Sequence, residues 1–129
     1  MEPKKKILIV DDDSFLLDMY MLKFSQSNFE VITALGPQQA LEKLHSGIVP
    51  DVMLLDIVMP VMDGFELMEK MKEENLATNA VRIVLSNRGQ PSDIARAESL
   101  GASGYIVKAS STPAEVIEKV KSIITSHTK

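Results

Sequence analysis

Residues 51–56 read Asp51-Val52-Met53-Leu54-Leu55-Asp56, four apolar residues in a row closed at both ends by a carboxylate. A run with no polar alternation suits a strand in the middle of a parallel sheet, where both faces are covered. Residues 7–10 and 81–85 have the same character, and residues 30–33 and 104–107 form two further β-rich runs. Each run is followed by a segment with helical spacing. Leu17, Tyr20, Met21 and Phe24 fall at i, i+3, i+4 and i+7, and so do Pro37, Ala40, Leu41 and Leu44. Pro37 stands where a first helical turn accepts proline. A third helix opens at Asp63 with Glu66 three residues on, the spacing of a capping box. The last opens Thr112-Pro113-Ala114-Glu115 with the same logic and continues through Val116, Ile117, Val120, Ile123 and Ile124. The fourth, about 92–100, has only Ile94, Ala95, Ala97 and Leu100 as apolar groups and is expected to be the most mobile.

Five βα units in succession predict an α/β fold, an open five-stranded parallel sheet with five helices on both its faces. Right-handed crossovers leave few windings. The order 2-1-3-4-5 is expected, which puts a topological switch point beside strands one and three.

With 129 residues there is room for one ordinary domain, taken as residues 1–129, long enough to bury well over half of its unfolded surface. The absence of cysteine excludes disulfides and thiolate metal sites. A net charge of −4 speaks against general nucleic-acid binding, which calls for a basic face. Lys4, Lys5 and Lys6 read as a solvated edge. The apolar run after them is too short for a signal peptide, and no uncharged stretch reaches the ~18 residues of a membrane span. A soluble, cytoplasmic protein is expected.

All strands of a parallel sheet end at one edge. Strand one ends in Asp11-Asp12-Asp13, strand three in Asp56, strand four in Ser86 and strand five in Lys108. Carboxylates gathered there repel one another, and a hard divalent cation on oxygen ligands relieves this. Mg²⁺ suits a site with few protein carboxylates because it keeps waters and accepts phosphate oxygens. With Lys108 as a point charge and Ser86 as a hydroxyl, the set describes phosphoryl-transfer chemistry, governed by positioning and charge neutralisation. Asp13, with Ser14, reads as a helix cap, and Asp63 likewise. The eight methionines read as core or surface. His45 and His127 read as surface residues.

Four segments in register carry a family resemblance: residues 7–12 (ILIVDD), 51–64 (DVMLLDIVMPVMDG), 83–86 (IVLS) and 101–108 (GASGYIVK). The chain resembles the receiver domain of two-component response regulators, similar in extent to the single-domain chemotaxis regulator. The resemblance implies a flavodoxin-like, three-layer fold and a phosphorelay role. It implies that Asp56 accepts a phosphoryl group from a histidine kinase or phosphotransfer protein. Asp12 and Asp56 would bind Mg²⁺ directly with the Val58 backbone carbonyl, and Asp11 largely through water. Lys108 would contact the phosphoryl group, Ser86 would swing towards it, and Tyr105 would change rotamer. The face of helix four, strand five and helix five would then present a new surface to a downstream protein. A monomer or weak homodimer is expected, able at most to catalyse its own phosphorylation and dephosphorylation.

The rival readings lose on particular residues. A pseudo-receiver, an interaction module that is not phosphorylated, normally lacks an acidic residue or the lysine, and both are kept here. An aspartyl-phosphate phosphatase needs an Asp-x-Asp motif, but Ile57 and Val58 follow Asp56. A nucleotide or flavin binder would show a glycine-rich phosphate loop, and neither common form is present. Two positions depart from the family pattern. Asn87 stands where a small residue is usual. Ala109 follows Lys108 where proline is usual and the bond is commonly cis. Before alanine a cis bond costs ~2.5–4 kcal/mol, against ~0.5–1 before proline, so a trans bond and a re-routed loop are expected.

Overall fold

The computed structural model describes residues 3–127, so the first two residues of the amino-terminal stretch weighed above as a targeting segment lie outside it. Five strands alternate with five helices: β1 (Lys5–Asp11), α1 (Ser14–Gln26), β2 (Phe29–Leu35), α2 (Gly36–His45), β3 (Val52–Leu55), α3 (Gly64–Glu73), β4 (Val81–Ser86), α4 (Pro91–Ser99), β5 (Ala102–Val107) and α5 (Pro113–His127). The strands are parallel in the expected order β2-β1-β3-β4-β5. Among the described residues no helix is long and apolar enough to cross a membrane.

Alternation along the central strands splits the core in two. Ile7, Ile9, Val52, Leu54, Ile83 and Leu85 face a cluster closed by Leu17, Tyr20 and Phe24 of α1 and Val116, Ile117, Val120 and Ile124 of α5. Leu8, Val10, Met53, Leu55 and Val84 face the other, closed by Ala40 and Leu44 of α2, Phe65, Leu67, Met68 and Met71 of α3, and Ala97 of α4. All four residues of β3 are buried. At ~1.5–3 kcal/mol for each large side chain, this central strand anchors the acidic end that follows it.

The caps follow the sequence with one change. Asp13 alone caps α1, its carboxylate accepting from the N–H groups of Phe15 and Leu16, while Ser14 is already the first helical residue. Asp63 and Glu66 exchange side-chain and backbone bonds at α3, and Thr112 and Glu115 do so at α5. Met21 is a second difference: it is 44 % exposed, and Leu16 and Met19 lie against the core instead. Tyr20 fills the buried position one residue before it.

The described residues contain no cis peptide, so Lys108–Ala109 is trans as expected. The chain leaves β5 through a short 3-10 turn, Lys108–Ser110, before reaching the Thr112 cap.

Candidate phosphoryl-acceptor site

Register brings the acidic ends together. Ile9 pairs with Leu54 and Val10 with Leu55, and the Asp56 N–H donates to the Val10 carbonyl at 3.0 Å. Asp11 and Asp56 therefore emerge side by side, both buried, with Asp12 exposed beside them. One carboxylate oxygen from each of the three lies within 4.8 Å of the others. Gly64 allows this packing, because a Cβ there would stand 2.3 Å from the Asp56 carbonyl oxygen.

Lys108 reaches the cluster despite the missing proline. Its Nζ lies 2.7 Å from Asp11 Oδ2 and 3.1 Å from Asp56 Oδ2. Burial works against the ammonium, but the hydrogen bonds and charges of the two aspartates outweigh it and hold its pKa above the ordinary lysine value. For Asp11 burial dominates and pushes the carboxyl pKa up, against the downward pull of Lys108 and of the Asp13 N–H, which donates to Asp11 Oδ1 at 3.0 Å.

Val58 and Ser86 line the same cleft, which has a volume of about 380 Å³, together with Asp11, Asp12, Asp56 and Lys108. The Val58 N–H donates to Asp56 Oδ1 at 3.2 Å, while its side chain is half exposed at the rim. Ser86 is fully buried, its Oγ accepting from the Arg88 N–H at 3.2 Å. Tyr105 lies in β5 outside the cleft, and its hydroxyl donates to the Arg88 carbonyl. Asn87 is exposed on the cleft wall. His45 is on the surface as expected, its Nε2 2.6 Å from Glu74 Oε1. His127 Nδ1 faces Ser103 Oγ at 3.3 Å.

The donor set fits a hard divalent cation. Three carboxylates and no nitrogen or sulfur donor converge, and one ammonium does not neutralise them. The residue pair that sequence reasoning missed is Arg88 and Asp93. Arg88 lines the cleft and pairs with Asp93, a carboxylate only 7 % exposed in the first turn of α4. The available signal was a charged pair five residues apart across a helix start.

The family model described as the response regulator receiver domain matches residues 7–121. The chain belongs to that family. Among curated relatives, the receiver-domain chain is 32 % identical over 120 residues to the alkaline phosphatase synthesis transcriptional regulatory protein of Bacillus subtilis, covering 93 % of this chain and 48 % of that one. A probable transcriptional regulator of Guillardia theta is 31 % identical over 124 residues, with 96 % and 47 % covered. The chain thus spans about half the length of these relatives. Among solved structures, a chemotaxis protein of Vibrio cholerae aligns with a TM-score of 0.84 at 26 % identity, covering 93 % of this chain and 98 % of that one. The fold is therefore the flavodoxin-like, doubly wound one expected, and the family is a signalling rather than a metabolic one.

Proposed function

We propose that this receiver domain is a phosphorylation switch whose acceptor is Asp56. The observation that carries the reading is the Asp56 carboxylate, buried at the end of the central strand, facing one lysine and two further carboxylates. In the transfer, an Asp56 oxygen attacks phosphorus as the bond to the donor breaks, and the donor's leaving group departs with that electron pair. The donor is a histidine kinase or phosphotransfer protein, and the acceptor works in the cytoplasm as a single receiver unit.

Lys108 neutralises charge on the phosphoryl oxygens and keeps the acceptor oriented. Asp12, Asp56 and the Val58 carbonyl would hold Mg²⁺, with Asp11 assisting through water. When bound, the ion would supply charge neutralisation on the phosphoryl oxygens. Ser86 gives up its bond to the Arg88 N–H to reach the phosphoryl group, and Tyr105 adjusts with the same loop. The face of α4, β5 and α5 then presents a changed surface to a downstream protein.

Incubation with acetyl phosphate and Mg²⁺, read by intact mass, tests this. Wild type should gain one phosphoryl group and Asp56→Asn none. A wild-type protein that stays unmodified, or a variant modified to the same extent, would leave a binding module on a receiver fold.

A further inference from the structure

Three contacts converge on Arg88, in the loop between β4 and α4. Its N–H donates to Ser86 Oγ, its carbonyl accepts from the Tyr105 hydroxyl, and its Nη2 lies 2.7 Å from Asp93 Oδ1. Asp93 is a buried carboxylate whose other hydrogen bond comes from the Gln90 N–H at 3.3 Å, a longer contact. The Arg88 side chain is 51 % exposed, and the residue is part of the wall of the cleft that holds Asp11, Asp12, Asp56 and Lys108. The guanidinium is thus held by Asp93, on a half-exposed side chain rooted in the wall of the acceptor cleft.

Charge decides which place it favours. Against the single charge of Asp93, a phosphoryl group carries about −1.5 to −2 and three acceptor oxygens. Arginine's planar fork matches those oxygens, and it is more weakly hydrated than an ammonium, so moving it into a cleft costs less. A side chain that is half in solvent has room to change partner.

We infer that Arg88 is shared between Asp93 and the phosphoryl group, so that modification of Asp56 unlatches the first turn of α4. This rests on the proposed acceptor role of Asp56 and adds to it a phosphoryl-contact residue and a route to α4. In the unmodified protein the guanidinium holds α4 through Asp93. A phosphoryl group on Asp56 draws it into the cleft and leaves the buried Asp93 carboxylate with the Gln90 N–H and the charge of Arg96 one turn on. The first turn then loosens, on the face proposed to meet the downstream protein. The same guanidinium draws small anionic phosphodonors towards Asp56, and Asp93 competes with them.

Four proteins test this with acetyl phosphate and Mg²⁺: wild type, Arg88→Ala, Asp93→Asn and the double variant. Phosphorylation rates are read by intact mass, and amide hydrogen exchange is followed over residues 90–96 with and without the phosphoryl group. Arg88→Ala should slow phosphorylation about fivefold, the scale of one half-exposed charge contact. Asp93→Asn, which frees the guanidinium, should speed it, and the double variant should match Arg88→Ala. Exchange over residues 90–96 should rise on phosphorylation of wild type and be high beforehand in Asp93→Asn. Arg88→Lys, which keeps the charge, guards against a folding defect in the alanine variant and should retain most of the rate. If both single variants loosen α4 equally while phosphorylation rates stay at wild type, the pair is a strut and the inference fails. Unchanged exchange in phosphorylated wild type also overturns it. A wild type that takes no phosphoryl group overturns the acceptor reading as well, which separates the two failures.

Discussion

Lys108 answers two buried carboxylates with one ammonium, its side chain only 11 % exposed. Removing one partner of such a group leaves uncompensated buried charge, which costs far more than the net worth of the pair. Lys108→Met is therefore expected to destabilise the metal-free protein by about 3 kcal/mol at neutral pH, measured by urea unfolding. Mg²⁺ should recover more stability in the variant than in wild type, because the dication then replaces the missing ammonium instead of competing with it. A variant as stable as wild type without metal would mean that the aspartates shed their charge by other means. Much of this site was legible in the sequence, since Asp11, Asp56, Ser86 and Lys108 are strand-end residues and a parallel sheet sends all strand ends to one edge. Arg88 and Asp93 were not, because their pairing depends on the path of the β4–α4 loop and no periodicity encodes it.

Helix α4 shows how element-level reading succeeds and fails. Its few apolar residues suggested weak attachment, yet it is tied by polar and aromatic contacts: Arg88 to Asp93, and the Arg96 guanidinium 4.5 Å from the centre of the Phe65 ring. Apolar spacing is blind to such contacts. Helix α1 fails differently. Phe15, Met21 and Leu22 are all exposed alongside the buried Leu17, Tyr20 and Phe24, so apolar groups surround the helix and the pattern could not settle which flank Met21 joined. The polar tie of α4 has a pH signature. The Arg88 hydrogen bond, with help from the Gln90 N–H, holds the Asp93 carboxyl below its ordinary value of 3.8. A depressed folded pKa means that the unfolded chain binds more protons in that window, so stability rises with pH there. The contribution is complete above the ordinary aspartate range and is lost as pH falls through the depressed value. In urea unfolding, wild type should exceed Asp93→Asn at pH 7, and the difference should close as pH drops below 3.8. A difference that stays constant into acid would mean that Asp93 acts by shape and not by charge.

At the scale of the whole molecule, the two cores fix the sheet, and the folded sheet brings the three carboxylates together. Asp11 and Asp12 come from one strand end and Asp56 from another, so the unfolded chain has no equivalent cluster. An ion that binds only the folded form stabilises it by mass action, ~2.7 kcal/mol at a hundredfold excess over Kd. For a domain of this size that is on the order of 10 °C in Tm. The melting temperature should accordingly climb with the logarithm of Mg²⁺ concentration once the site begins to fill. The control that isolates the site is Asp12. It is exposed and its carboxylate makes no hydrogen bond among the described residues, so the fold does not lean on that side chain. Asp12→Ala should leave the metal-free Tm unchanged or slightly higher, because one member of a mutually repelling set has gone. The same variant should respond weakly to Mg²⁺, since the proposed direct ligand is missing while Asp11 and Asp56 stay bound to Lys108. The two effects have opposite signs, which general destabilisation cannot imitate. If Asp12→Ala gains as much from Mg²⁺ as wild type does, the ion binds elsewhere and the carboxylate cluster serves only to position Lys108.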